Sequence, residues 1–82
     1  MARKRATERV MLRREAAWDL LHQLNWSQGD LGREAGLSAG YVSLLFNWDR
    51  SPSASARRSI QKALGVEDFD VLFVIVTVED DE

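Results

Sequence analysis

Residues 26–47, with the sequence WSQGDLGREAGLSAGYVSLLFN, contain two helix-start signals separated by a helix-stop signal. Ser27 and Ser38 are each placed to accept a hydrogen bond from an unpaired backbone N–H at the start of a helix. Gly36 lies between them and adopts the left-handed conformation without strain, which is typical of a helix end. The stretch therefore predicts a first short helix over 28–35, a turn, and a second short helix.

Each predicted helix start is flanked by a pair of apolar residues that fix the path of the incoming chain. Trp26 and Leu31 occupy these two positions at the first helix, and Leu37 and Val42 occupy them at the second. Such a pair packs together across the helix start. The second helix is expected over 38–46, with Val42 on its buried side.

Apolar spacing predicts further helices on both sides of this pair. Apolar residues recur at helical intervals over 8–24 without a Gly or Pro between them, which predicts one long helix. After the pair, Ser51 is expected to cap a helix whose first turn contains Pro52 and which ends at Gly65. Residues 66–70 could add one more helical turn.

Residues 71–78, VLFVIVTV, are dense in β-branched and aromatic residues and predict a strand. This is the only convincing strand in the sequence, and one strand cannot satisfy its backbone groups alone. We expect it to pair with the same strand of a second copy, although it could instead fold back on its own helices. The predicted interface residues are Leu72, Phe73, Val74, Ile75, Val76 and Val78.

The charge of the chain is divided unevenly along its 82 residues. Residues 1–66 contain all 11 Lys and Arg against six acids, a net +5, whereas 67–82 contain seven acids and no base. A basic body suits a polyanionic partner, and an acidic tail can equally serve solubility. We expect three parts: a basic flexible arm over 1–7, a helical domain over 8–70, and a dimerisation strand with an acidic tail over 71–82.

Few of the groups that catalysis or metal binding needs are present. The sequence has no cysteine and one histidine, so a thiolate site or an imidazole cluster cannot form. It also lacks a Gly-rich phosphate loop. We expect no enzyme activity, no cofactor and no metal. The longest apolar run, 71–76, is far shorter than the ~20 residues of a membrane span, so a cytoplasmic location without membrane contact is expected.

The helix pair resembles the Cro/CI-type helix-turn-helix of phage and bacterial repressors, the Xre-like family. The resemblance rests on Ser27-Gln28, Leu31, Ala35-Gly36-Leu37-Ser38, the run 41–47 and the closing Ala63-Leu64-Gly65-Val66. It covers roughly residues 8–69 and implies a mainly α, lambda-repressor-like bundle of about five short helices. It also implies a sequence-specific regulator of transcription, of the repressor kind, that binds double-stranded DNA at an inverted repeat as a homodimer.

The resemblance assigns roles to individual residues. It implies phosphate contacts from Gln28, Ser38, Asn47 and Arg50. It places Ala39, Gly40, Tyr41, Ser43 and Leu44 on the side that faces the bases, and it likens Arg3, Lys4 and Arg5 to an arm that wraps around the duplex. These base-facing residues are small or apolar, so sequence reading is expected to be modest or to use DNA shape.

Two further positions depart from the family pattern. Gly32 stands where the family usually has Ala, at the closest crossing of the two helices. Trp48 follows Asn47 where a Gly is common, so either the turn differs or Trp48 packs against the last helix.

A different class of function remains open. The same fold serves as the antitoxin half of toxin–antitoxin pairs, and the apolar strand would then add to the sheet of a protein partner.

Overall fold

The structure, a computed structural model, describes residues 5–80, and within them the chain forms five helices and one antiparallel sheet of two strands. The elements in chain order are β1 (Arg5–Leu12), α1 (Arg14–Leu24), α2 (Gln28–Ala35), α3 (Ala39–Phe46), α4 (Ala54–Leu64), α5 (Phe69–Leu72) and β2 (Phe73–Asp80). The mainly α class is confirmed.

The helix pair has the predicted boundaries because each start is capped by a nearby side chain. The Ser27 hydroxyl accepts a hydrogen bond from the Asp30 N–H at 3.1 Å, and the Asp30 carboxylate accepts one from the Ser27 N–H at 2.8 Å. The Ser38 hydroxyl likewise accepts from the Tyr41 N–H at 3.1 Å. Gly36 ends α2 with a φ of 72°.

The prediction of one helix over 8–24 is wrong for its first turns. Residues up to Leu12 belong to β1, and α1 begins at Arg14. Glu8, Arg9, Met11 and Leu12 favour a helix locally, but pairing with a strongly apolar strand outweighs that preference. The boundary between an arm over 1–7 and a helical domain is wrong for the same reason, since β1 runs across it.

The structure gives the C-terminal strand a partner that the sequence analysis does not predict. β2 pairs antiparallel with β1 of the same chain, from Leu12 opposite Phe73 to Arg5 opposite Asp80. The strand starts at Phe73 rather than at residue 71, because residues 69–72 form the short helix α5. The strand does fold back on its own chain, and Phe73 is buried in the helical core, but its hydrogen-bonding partner is a strand.

The core lies among all five helices and the inner ends of both strands. Its buried members are Leu12, Ala17, Leu21, Leu31, Val42, Leu45, Phe46, Ile60, Leu64, Leu72 and Phe73. Leu72 and Phe73 are both 0% exposed. The prediction that these two residues form an interface with a second copy is therefore wrong.

Arg13 joins the two ends of the helical body. Its backbone N–H donates to the Leu72 carbonyl at 2.7 Å, and its Nε donates to the carbonyls of Asp70 and Phe73 at 2.8 and 3.2 Å. These bonds connect the β1–α1 junction to the α5–β2 junction. The base of the two-stranded sheet is therefore fixed to the helices.

The last long helix starts two residues later than expected. Ser53, not Ser51, caps α4 by accepting from the Ala56 N–H at 3.1 Å, and Pro52 is buried ahead of the helix. Gly65 ends α4 as predicted, with a φ of 69°. No helix within residues 5–80 is long and apolar enough to cross a membrane.

Candidate nucleic-acid interface

The two helices of the pair approach most closely at Gly32. A Cβ at this position would lie 2.7 Å from the Leu37 carbonyl oxygen and 3.4 Å from a methyl carbon of Val42. The Leu37 N–H donates to the Gly32 carbonyl at 2.7 Å, which holds the turn against α2. Gly32 is thus required by the close approach, which explains why Ala is absent here.

α3 buries one side and leaves the other open. Val42, Leu45 and Phe46 are buried. The opposite side, which we call the open face of α3, consists of Ala39, Gly40, Ser43 and Leu44, with Asn47 at its end. Ser43 is half-buried and the other four residues are exposed.

Gly40 is the least expected residue of this open face. A Cβ on Gly40 would meet no atom within 4 Å, so nothing in the chain requires a glycine there. Its φ is also not in the left-handed region. A glycine in the middle of a helix costs roughly 0.5–1 kcal/mol relative to alanine, and Gly40, in the first turn of α3, costs at most that amount. The open face thus has a cost in stability that no contact within residues 5–80 explains.

Tyr41 belongs to the boundary of this face rather than to its centre. Its side chain is half-buried, and its hydroxyl accepts a hydrogen bond from the Ser53 N–H at 3.2 Å. This bond joins α3 to the start of α4. Tyr41 therefore positions α3 whether or not it also contacts a ligand.

The four residues assigned to phosphate contacts lie near the two ends of the helix pair. Gln28 is the first residue of α2 and is half-buried, and Ser38 caps α3. Asn47 is the C-cap of α3, and both Asn47 and Arg50 are exposed. Gln28 and Ser38 lie at helix N-termini, where free backbone N–H groups favour a phosphate. Asn47 and Arg50 lie at the C-terminal end of α3, so they could contribute only through their side chains.

Asp30 already uses part of the α2 start. The hydrogen bond from the Ser27 backbone N–H is the main reason that the pKa of Asp30 is lowered below its usual value, and Arg33 contributes as an ion-pair partner. A phosphate at this end would therefore have to accept from the remaining N–H groups of the first turn, with help from Gln28.

The predicted arm is only partly visible. Arg3 and Lys4 lie outside the described residues. Arg5 is the first residue of β1, and its backbone pairs with that of Asp80. Arg5 is therefore part of a strand ladder rather than of a flexible arm.

The conformation and contacts of Trp48 show how the turn after α3 accommodates a tryptophan in place of glycine. Its φ is 61°, so the turn keeps the left-handed conformation that glycine usually supplies. The indole Nε1–H donates to the Leu12 carbonyl at 2.6 Å, and the Arg14 guanidinium carbon lies 5.2 Å from the ring centroid. Trp48 therefore contacts the end of β1 and the start of α1. The contact with the last helix is the one that the sequence analysis offers.

The sheet of β1 and β2, which we call the ribbon, exposes apolar side chains. Ile75 is 55% exposed and Val78 is 38% exposed, and Val74 and Val76 are half-buried. Within residues 5–80 the sheet has two strands, so each strand keeps one edge without a β partner. A two-stranded sheet of this kind is marginal on its own in water.

In the described part of the chain, no group of three or more His, Cys, Asp or Glu side chains is placed to hold a metal ion. A scan against protein-family models gives no match, and a search of curated proteins finds no similar sequence.

Proposed function

We propose that this chain is a sequence-specific, double-stranded-DNA-binding regulator of transcription, of the repressor kind, that acts in the cytoplasm as a homodimer. The observation that carries the proposal is the open face of α3, and Gly40 above all. An exposed helix side whose residues are uncharged and mostly small, with an unneeded glycine, suits a surface that another molecule approaches closely.

The dimensions of α3 suit the major groove of DNA, which admits one α-helix and displays a distinct donor and acceptor pattern for each base pair. On the open face, Ser43 can donate to or accept from a base edge, and Leu44 can contact a thymine methyl group. Gly40 lets the backbone come close. None of these residues makes a bidentate bond to a base, so DNA shape is expected to contribute to specificity.

Charge supports a polyanionic ligand. Residues 1–66 have a net charge of +5, and α3 itself contains no acidic side chain. Arg50 lies exposed just after α3, and Gln28 stands at the start of α2. We propose these two residues, with Ser38 and Asn47, as the phosphate contacts that set the orientation of α3 in the groove.

The ribbon supplies the proposed dimer contact, through the outer edge of β2. Ile75 is the most exposed of the large hydrophobic residues identified in the described range. Pairing β2 with β2 of a second copy would build a four-stranded sheet, which is more stable than two separate ribbons. The remaining candidates for the interface are Val74, Ile75, Val76 and Val78.

The distribution of charged residues favours dimerisation through the outer edge of β2 rather than through the outer edge of β1. In a two-fold antiparallel pair, the residue on the axis lies opposite itself. Near the middle of β1 that residue is Glu8 or Arg9, so like charges would face each other, which is destabilising. The segment 73–78 of β2 has no charged residue, and an uncharged, apolar edge invites pairing.

The proposal is tested by selection from a random duplex pool at near-physiological salt, with the wild type and two variants. Leu44→Glu places a carboxylate on the open face of α3, and Leu24→Glu places one at the end of α1. The two leucines are matched, being 37% and 42% exposed. We expect the wild type and Leu24→Glu to enrich the same inverted repeat and Leu44→Glu to retain no duplex. Equal enrichment by both variants would exclude α3 as the reading helix.

The dimer contact is tested by sedimentation velocity over a range of concentrations. Ile75→Lys places a positive charge on the β2 edge, and Thr7→Lys places the same charge on the exposed β1 strand as a control. We expect a dimer for the wild type and Thr7→Lys and a monomer for Ile75→Lys. A wild-type monomer at all concentrations would remove the homodimer from the proposal.

A protein-interaction module is the second candidate, and the exposed apolar edge of β2 favours it. In that case the edge would pair with a strand of a different protein, as in the antitoxin half of a toxin–antitoxin pair. A wild-type chain that stays monomeric and retains no duplex from the pool would support this alternative.

A further inference from the structure

We infer that Trp48 is a positioning residue that fixes the angle between α3 and the ribbon, and thereby sets the spacing of the two half-sites that the dimer accepts. This inference rests on the proposed function, because it needs both DNA contact through α3 and pairing through the ribbon. It concerns a residue that contacts neither DNA nor the second copy in the proposal.

Trp48 lies where the DNA-facing part of the chain meets the dimer-forming part. Its backbone N–H donates to the Leu45 carbonyl at 3.2 Å, which attaches it to the last turn of α3. Its indole N–H donates to the Leu12 carbonyl, the last residue of β1. One side chain therefore connects the end of α3 directly to the base of the ribbon.

The side chain of Trp48 is 40% exposed, and its indole also lies beside residues from both sides of this junction. On one side it lines a cleft with Arg9, Met11, Val76 and Val78 of the ribbon. On the other side the Arg14 guanidinium lies over the ring. The ring is held between the ribbon face and the start of α1, so a change in the angle between them would break these contacts.

The backbone conformation of Trp48 indicates that its side chain has a specific role. A tryptophan with a φ of 61° is in a region that bulky residues avoid and that glycine adopts at no cost. Such a conformation persists only where the surrounding structure fixes it. Glycine would suffice for the turn, so the side chain of Trp48 has a separate role, and its contacts place that role at the ribbon.

The angle at this junction has a direct consequence for DNA. Half-sites one helical turn apart place each α3 roughly 17 Å from the two-fold axis, half of about 34 Å. A rotation of the helices by about 10° about this junction would move the far end of α3, whose 8 residues span about 12 Å, by roughly 2 Å, more than half of the ~3.4 Å rise of one base pair. A fixed angle is therefore needed for a sharp preference among half-site spacings.

The test uses the inverted repeat selected by the wild type, rebuilt with the spacer between half-sites shortened and lengthened one base pair at a time. Affinities are measured by fluorescence anisotropy for the wild type, Trp48→Phe and Trp26→Phe. Trp48→Phe keeps an aromatic ring but removes the N–H donor to Leu12. Trp26→Phe changes a half-buried tryptophan at the start of α2, away from the ribbon, and serves as the control.

We expect the wild type and Trp26→Phe to prefer one spacer sharply. For Trp48→Phe the advantage of that spacer falls by about tenfold, the size expected for the loss of one hydrogen bond, while affinity for a duplex with a single half-site is unchanged. An equal loss of affinity at every spacer and at the single half-site would overturn the inference, because it would indicate a merely structural role. An unchanged spacer profile would overturn it too.

A second variant keeps the test decisive if Trp48→Phe does not fold. Arg14→Gln removes the cation over the indole from an exposed position of α1. A broader spacer profile for Arg14→Gln supports the inference, and a profile identical to that of the wild type contradicts it. Failure of the underlying proposal gives a different result, since the wild type itself would then show no preferred duplex at all.

Discussion

The helix pair of α2 and α3 and the ribbon of β1 and β2 are stabilised in opposite ways. In the helix pair, each start is capped by a serine three residues from its partner, and the turn closes through a bond from Leu37 to Gly32. In the ribbon, every ladder contact joins residues from the two ends of the sequence, from Leu12 opposite Phe73 to Arg5 opposite Asp80.

The difference extends to the surfaces that the two regions present. The helix pair packs onto the core and leaves an open face of small residues. The ribbon leaves apolar side chains and an uncharged strand edge exposed. The helix pair is therefore complete as a folded unit and offers a surface for a ligand, whereas the ribbon is incomplete until something pairs with it.

The two regions should differ most in how far the free energy of unfolding falls when an apolar side chain is removed. Leu31→Ala removes a 0% exposed side chain from α2 and should lower the free energy of unfolding by about 2–5 kcal/mol. Ile75→Ala removes a side chain that is 55% exposed and should cost under about 0.5 kcal/mol in dilute, monomeric protein. Urea unfolding measures both. A large cost for Ile75→Ala in dilute protein would show that the ribbon is complete without a partner.

The next effect separates two of the glycines of the helix pair, Gly32 and Gly40. Gly32→Ala should destabilise the chain by about 1 kcal/mol, since overpacking typically costs about 1–3 kcal/mol and the gain in helix propensity offsets roughly 0.5–1 kcal/mol of it. The new Cβ would lie 2.7 Å from the Leu37 carbonyl oxygen. Thermal unfolding checks this, and an increase in stability would mean that α2 and α3 can separate at little cost.

Gly40→Ala should have the opposite sign. No atom lies within 4 Å of the added Cβ, so the variant should be more stable, by at most the roughly 0.5–1 kcal/mol of a mid-helix position, because Gly40 lies in the first turn of α3. On the proposed function it should also bind the selected duplex more weakly, because the methyl group lies on the open face of α3. Unfolding and anisotropy titrations together test this. A more stable variant with unchanged affinity would show that DNA does not approach Gly40.

The smallest effect is a pH dependence of the α2 cap. The pKa of Asp30 is lowered in the folded chain, so its charge stabilises the fold above the ordinary carboxyl pKa near 3.8 and loses that effect as the pH falls below it. Asp30→Asn should therefore be less stable than the wild type at pH 6, and the two should converge as the pH falls through the lowered pKa of Asp30. A stability difference that stays constant over this range would mean that the carboxylate charge is not involved.

The sequence predicts the helix pair well and the ribbon poorly. The starts of α2 and α3 and the end of α2 were predictable, because Ser27, Ser38 and Gly36 each form hydrogen bonds with residues at most four positions away in the sequence. The strand β1 was not predictable, because Glu8, Arg9 and Met11 favour a helix locally. They form a strand only because they pair with β2, which lies at the other end of the sequence. The pairing of β2 with β1 was not predicted for the same reason.

The candidate site was predictable only in part. The positions on the open face follow from the spacing of the buried residues of α3, and the structure places Ala39, Gly40 and Leu44 there. The bond from Trp48 to Leu12 joins residues 36 apart in sequence, and nothing near Trp48 in the sequence indicates it. The one available signal was a tryptophan where a left-handed turn favours glycine.

The most direct test of the account is a titration of the ¹⁵N-labelled chain with the selected duplex, followed by backbone amide chemical shifts, with an unrelated duplex as control. The account predicts the largest specific shifts at Gly40, Leu44 and Asn47 and at Gln28, with the outer strand residues of the ribbon near their unbound positions. Shifts concentrated on residues 73–78, with α3 unaffected, would contradict it.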